Sequence, residues 1–318
     1  MAVYTQVSAE ALTAFLAKFD VGDLVSAKGI AEGVENSNYL VDTTQARFIL
    51  TLYEKRVAAD DLPYFMALLD HLAAKGLPVP PAIKDRTGAE IHELEGRAAC
   101  LIQFLPGVSV TAPTIGQAGA AGSALGWMHS ALQDFALDRP NTMGADSWQV
   151  QLDRCGRDLD RIAPGLFDTA ARALDRVLAG WPRGLPTGAI HADLFPDNVL
   201  MLGDKVTGLI DFYFACTDLR AYDVAVTHSA WAFDPTGHRF DRAVGDALLL
   251  GYRHSAILSG EERAMLPLLA EGAALRFLLS RAWDWLNTPA DAMVTRKDPL
   301  AYLRRLEFYR THGAELFA

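Results

Sequence analysis

Cysteine is scarce in this 318-residue chain: Cys100, Cys155 and Cys216 stand far apart, with no C-x-x-C pair. That spacing excludes a zinc knuckle and a disulfide framework, and it fits a reducing compartment. Positive charge is also short, with 29 Lys and Arg against 39 Asp and Glu, a net charge of −10 and a pI near 5.2. Nucleic acid and anionic membrane both require a basic footprint, so neither is expected as the main partner. No segment approaches the unbroken apolar length of a membrane span. The opening Met1-Ala-Val-Tyr-Thr-Gln lacks the basic-then-apolar order of a signal peptide, and a cytoplasmic location is expected. Fixed-period repeats and low-complexity tracts are missing as well. The small-residue run Gly116–Ser123 has polar interruptions that favour a tightly packed helix of a soluble protein over a membrane dimer motif.

What is present is a globular composition, 51% hydrophobic and 21% charged. Its length suits roughly two domain-sized units or one two-lobed domain with a cleft. Leu12, Phe15, Leu16 and Phe19 share one face of a helix predicted over 8–19 with Ser8 as cap. Strand-like segments follow at 24–30, 38–41 and 47–53. A helix over 60–75 stops at Gly76, ahead of Leu77-Pro-Val-Pro-Pro81. Further strand-like pieces at 82–84, 90–92 and 98–104 precede the breaker Pro106-Gly107. Beyond it the pattern becomes helical, at 114–134, 145–161, 166–179, 219–233, 237–256, 260–287 and 298–315. The expectation is an α+β protein with a small antiparallel-sheet lobe over 1–105 and a mainly helical lobe over 106–318.

The informative run is His191-Ala-Asp193-Leu-Phe-Pro-Asp-Asn198, followed by Leu209-Ile-Asp211-Phe. An H-x-D-x-x-x-x-N loop with an Asp-Phe pair at hairpin distance has the spacing of a phosphotransfer centre, one base and two metal ligands. Val199–Leu202 and Val206–Ile210 read as strands around a Gly203-Asp-Lys205 turn. Such a hairpin brings its open ends together, so Asn198 and Asp211 are expected to face one cleft. An amide oxygen and a carboxylate there suit Mg2+, a hard cation. Asp193 shares the loop with Asn198, and His191 is expected to brace the loop rather than transfer a proton.

Other segments are more ambiguous. Between two strand patterns, Gly29-Ile-Ala-Glu-Gly33-Val-Glu-Asn36-Ser37-Asn38 offers glycine and short polar side chains to phosphate oxygens, or forms an ordinary turn. Leu101–Gly107 either reads an adenine edge, through the Gln103 carbonyl and the Leu105 amide, or is a plain interlobe strand; both hold together. Arg276 and Arg281 lie on one predicted helix about 140° apart, so only one is expected to point into a cleft. There it would grip a carboxylate bidentately. The competing reading is an ion pair with Asp284 or Glu271.

Ile190-His-Ala-Asp-Leu-Phe-Pro-Asp-Asn-Val-Leu200, Ile210-Asp-Phe and Asp218-Leu-Arg-Ala-Tyr-Asp223 resemble the aminoglycoside phosphotransferase superfamily, whose fold is protein-kinase-like. Within it, Glu35-Asn-Ser-Asn-Tyr-Leu-Val, Phe48-Ile-Leu-Thr-Leu-Tyr-Glu54, Leu101–Gly107 and Arg276–Trp285 are similar to the kinase-fold homoserine kinases of bacteria. The resemblance implies transfer of the ATP γ-phosphoryl group to L-homoserine for threonine synthesis. It makes Asp193 the base, Asn198 and Asp211 the Mg2+ ligands, and Asp223 a loop-bracing acid. The Gly-Ser-rich phosphate loop of the other homoserine kinase lineage is not found. Where most kinases carry an ATP-pairing lysine, this chain has Thr51. Lys55 lies on the same strand face but about 13 Å farther along, and the homoserine kinases share the threonine. Rival readings are a kinase for choline, ethanolamine, methylthioribose or an aminoglycoside, and a catalytically silent nucleotide-binding protein.

Overall fold

The structure is a computed structural model and describes residues 4–30, 36–54, 58–288 and 296–317. Two compact units emerge. The first runs through Gly107 and includes Thr207–Tyr213; the second comprises Val108–Val206 and the chain from Phe214 onward.

In the first unit α1 (Ala9–Leu16) starts where the Ser8 hydroxyl accepts the Ala11 N–H, which satisfies one of the orphan donors of a helix start. The strands β1 (Leu24–Gly29), β2 (Asn36–Thr43), β3 (Arg47–Tyr53), β4 (His92–Leu94) and β5 (Arg97–Gln103) form one sheet in the order β1-β2-β3-β5-β4. Every pairing is antiparallel. Because side chains alternate along a strand, the register assigns each residue a face. Tyr39, Val41, Phe48, Leu50, Leu52, Ala99 and Leu101 bury themselves against Leu12, Phe15, Leu16 and Phe19 of the α1 region. Each large apolar side chain buried there contributes roughly 1.5–3 kcal/mol. The opposite face carries Asn38 across from Thr51, and Thr51 across from Cys100. One step along lie Leu40, Ile49 and Ile102. α2 (Leu62–Ala74) has Pro63 in its first turn and ends before Gly76, whose φ of +85° suits a residue without Cβ.

The second unit contains α3 (Ile115–Ala131), α4 (Ala145–Cys155), α5 (Leu166–Gly180), α6 (Arg220–Trp231), α7 (Arg242–Ser255), α8 (Gly260–Asn287) and α9 (Leu300–Leu316). Reciprocal capping boxes, Thr114 with Gln117 and Ser259 with Glu262, start α3 and α8. The small-residue run packs α3 on α7 backbone to backbone. A Cβ on Gly122 would overlap the Leu248 carbonyl, and one on Gly251 the Gly119 carbonyl. No helix among the described residues is long and apolar enough to cross a membrane.

The small-sheet and mainly helical halves follow the sequence expectation, with local differences. The helix predicted over 145–161 becomes a 3-10 segment at Gly156–Arg161, where Gly156 has a φ of +54°. The helix predicted from 237 starts at Arg242, where the Asp241 carboxylate accepts the Val244 N–H. The predicted hairpin forms as β7 (Val199–Leu202) and β8 (Lys205–Leu209), turning at Gly203 with a φ of +60°. Two further strands, β6 (Thr187–Ile190) and β9 (Cys216–Leu219), pair antiparallel on either side of it. All three cysteines are free and buried.

Candidate active site

β6 ends at Ile190 and the loop begins at His191. Ala192 has a φ of +63°, a left-handed conformation costly for a residue with a Cβ and held only where surroundings impose it. The surroundings here are side chains aimed at the loop's peptide groups. Asp223, in the first turn of α6 and fully buried, accepts the His191 and Ala192 N–H groups at 2.8 Å each. The buried Arg276 guanidinium donates to the Ala192 carbonyl. Trp231 Nε1 donates to the Leu194 carbonyl at 3.0 Å. His191 Nδ1 accepts the Asp193 N–H at 3.3 Å, the bracing role expected of it.

A second layer holds Asp223. Its Oδ2 lies 3.0 Å from His129 Nε2, and His129 Nδ1 lies 3.0 Å from the Tyr252 hydroxyl. Burial pushes the Asp223 carboxyl upward, but hydrogen bonding and charge from His129, with His191 behind them, hold it below the usual range. It therefore stays ionised and keeps accepting. Neither His129 nor Tyr252 was singled out by the sequence reading; they lie on α3 and α7, far from the motif, and no local pattern marks them.

Asn198 closes the loop. Its Nδ2 donates to the Asp193 carbonyl at 2.8 Å and reaches Asp193 Oδ2 at 3.3 Å. With its donors turned toward Asp193, the Asn198 amide oxygen is the atom left to act as a metal ligand.

Arg276 and Arg281 have different surroundings within α8. Arg276 lies over the Phe277 ring at 4.6 Å and near that of Phe214 at 5.6 Å, with 2% of its surface exposed. Glu271, one of the two ion-pair partners of the competing reading, is engaged by Arg176. Arg281 is only partly buried and stacks over the Tyr302 ring at 4.4 Å. Among the described residues no carboxylate pairs with it. Burial pushes the Tyr302 hydroxyl up, and the charges of Arg281, Arg305, Asp193 and Arg276 all act on it.

In the first unit, the Thr51 hydroxyl donates to Asn38 Oδ1 at 2.8 Å. The Asn36 amide oxygen accepts the Glu54 N–H at 3.4 Å. Ser37 points to the other side of the sheet, where its hydroxyl donates to Glu54 and accepts the Tyr4 and Thr5 N–H groups. Gly33 and Lys55 lie outside the described residues. Gln103 donates its N–H to the Pro81 carbonyl, whereas the Leu105 N–H has no partner among the described residues. Asp211 has a φ of +64° and is followed by Tyr213, whose ring packs edge-on against Tyr53 at 5.5 Å and Phe65 at 5.8 Å.

Taken one by one, an amide oxygen and a carboxylate are the kinds of donor that a hard divalent ion accepts beside water and phosphate oxygens. Asn198 and Asp211 supply oxygen only. No group of three or more His, Cys, Asp or Glu able to hold a metal occurs among the described residues.

A family model described as the phosphotransferase enzyme family matches residues 26–264. A homoserine kinase of Acidiphilium cryptum (strain JF-5) is 52% identical over 314 residues, spanning 99% of this chain and 98% of that protein. One from Zymomonas mobilis subsp. mobilis is 51% identical over 317 residues, spanning 99% of each. Among solved structures, an amicoumacin kinase in complex with AMP-PNP and Ca2+ superposes with a TM-score of 0.72 at 16% identity, covering 96% of this chain and 94% of that one. Choline kinase from Cryptosporidium parvum gives 0.68 at 13% identity, covering 97% and 96%. At such low identities these two speak for the fold, which is protein-kinase-like.

Proposed function

The chain belongs to the phosphotransferase enzyme family, and on that premise we infer that it is a homoserine kinase, moving the γ-phosphoryl group of ATP to the side-chain hydroxyl of L-homoserine. The observation that carries this reading is identity of about half, over nearly the whole chain, to curated homoserine kinases.

Asp193 is the base of this reading. As the homoserine oxygen bonds to the γ-phosphorus, the bond from that phosphorus to its bridging oxygen breaks, ADP leaves, and the hydroxyl proton passes to the Asp193 carboxylate. The pinned loop fixes where that carboxylate stands, and such positioning is a large part of catalysis when the transition state is loose. Asn198 and Asp211 are the proposed Mg2+ ligands. When bound, the ion would neutralise charge on the phosphate oxygens.

For the nucleotide, the face of the first unit's sheet offers apolar Leu40, Ile49 and Ile102 to the base and polar Asn38 and Thr51 to the phosphates. The unengaged Leu105 N–H and the Gln103 backbone suit an adenine edge. Asn36 stands near the same end, and Ser37 serves the fold from the opposite face. Of the two arginines, Arg281 is the better candidate for the homoserine carboxylate, because it is more exposed than Arg276 and no carboxylate pairs with it among the described residues. Arg276 acts as a loop anchor. A cytoplasmic enzyme with a small-molecule acceptor completes the reading.

Product formation from ATP across L-homoserine, choline, ethanolamine, methylthioribose and an aminoglycoside, with and without Mg2+, tests it. L-Homoserine should show the highest kcat/KM, and 4-amino-1-butanol should be poor because it keeps a primary hydroxyl but lacks the free carboxylate. Faster turnover of choline or an aminoglycoside would overturn the acceptor; no turnover of any alcohol would overturn the kinase.

A further inference from the structure

Most kinases of this fold hold the ATP phosphates with a lysine on the third strand, and here that position is Thr51. Its side chain is 2% exposed and faces the same way as Asn38, directly across the β2–β3 ladder. The Thr51 hydroxyl donates to Asn38 Oδ1 at 2.8 Å. Once that oxygen accepts, the Asn38 amide is fixed in one of its two flips, and both Nδ2 hydrogens point away from Thr51. No partner for them is found among the described residues. Tyr213 Oη donates to Tyr53 Oη at 3.4 Å, and Tyr53 lies two residues beyond Thr51 on the same face of β3. Edge-on packing against Tyr53 and Phe65 fixes the Tyr213 ring. Tyr213 is two residues beyond Asp211.

We propose that Tyr213, Thr51 and Asn38 form a neutral phosphate anchor that replaces the lysine, with Asn38 donating to the nucleotide phosphates, and Thr51 and Tyr213 acting as positioning residues. This rests on the kinase reading and adds residues and a mode of recognition to it. A neutral amide held by a buried hydroxyl needs no compensating carboxylate on α2; that helix offers no glutamate, and its one aspartate, Asp70, pairs with Lys84 at 2.8 Å. Tyr213 also ties the anchor to the segment that carries Asp211, so phosphate contact and metal ligation share one support.

Calorimetric titration with ATP (with Mg2+) and, separately, adenosine tests the proposal on the full-length chain. Thr51→Val keeps the branched shape and removes the hydroxyl; it should weaken ATP binding about tenfold, the effect of losing one oriented hydrogen bond to a charged group, and leave adenosine binding unchanged. Tyr213→Phe should act in the same direction, and the double variant should be little worse than either single one, since both act through Asn38. Thr51→Ser should restore most of the ATP affinity. Unchanged ATP affinity in Thr51→Val, equal losses for ATP and adenosine, or no recovery with Thr51→Ser would each overturn the anchor. Should Thr51→Val fail to fold, Asn38→Ala on the sheet surface gives the same decision, because the anchor requires it to lose ATP affinity selectively. A wild-type protein that bound no ATP would defeat the kinase reading itself.

Discussion

An aspartate and an asparagine differ little in volume, and at position 193 the difference is whether a proton can be accepted. Asp193→Asn should lower kcat by about 10² to 10⁴ or more while ATP binding, measured by titration, stays near wild type; a variant keeping most of its kcat would remove Asp193 from the chemistry. The two arginines of α8 should separate in the same assays. Arg281→Lys is expected to raise the homoserine KM roughly tenfold, because a point charge cannot reproduce the fork, with ATP KM and thermal midpoint unchanged. Arg276→Lys should instead lower both kcat and the thermal midpoint, since it loosens the Ala192 carbonyl inside a buried setting. At this scale the proximity of Asp193 and Asn198 was legible in the sequence, because the two share one short loop. His129, Tyr252 and Trp231 were illegible: His129 reaches Asp223, Tyr252 reaches His129 and Trp231 reaches the loop, each across a long sequence separation that only the fold closes.

Among the elements, α3 and α7 give the sharpest test. Alanine in place of glycine favours a helix by about 1 kcal/mol, but at Gly122 the added Cβ meets the Leu248 carbonyl, a backbone atom that cannot swing aside. Overpacking of this kind costs roughly 1–3 kcal/mol, so Gly122→Ala should lower the denaturation midpoint despite its better propensity. An unchanged or higher midpoint would show that α7 yields. Element legibility divided along physical lines. Long helices with an apolar stripe and the strands of the first sheet were readable from periodicity, and the β7–β8 hairpin from Gly203-Asp204. The four-residue strands β6 and β9 were not, because neither is long enough to establish an alternation, and their pairing joins residues about thirty positions apart.

For the molecule as a whole, acid should be the weak side. His228 is buried against Phe240, Tyr309 and Phe317, with its Nδ1 2.7 Å from the Tyr309 hydroxyl. Burial, aided by the charge of Arg242, drops its pKa from 6.5 to about 3. Below pH 6.5 the unfolded chain therefore takes up a proton that the folded chain refuses, and stability falls by roughly 2 kcal/mol between pH 6.5 and 5. Asp223 works in the same direction lower down: its depressed carboxyl contributes stability above its ordinary pKa of 3.8, and that contribution is lost as pH falls through the folded value. Thermal midpoints from pH 7 to pH 5 should decline, and His228→Gln should flatten that slope; an equal slope in the variant would assign the acid sensitivity elsewhere.

The buried thiols have a practical side. Burial lifts Cys100 and Cys216 to about 12 and Cys155 to about 11, so near neutrality almost none is thiolate, the form that reacts with maleimides and nitroxide reagents. The unaltered chain is consequently a blank background for site-directed labelling. One cysteine placed on an exposed position, such as Leu250 at 58% exposure or Ile257 at 78%, would be the sole fast-reacting site, and a fluorophore there would report on the enzyme with all of its native cysteines intact.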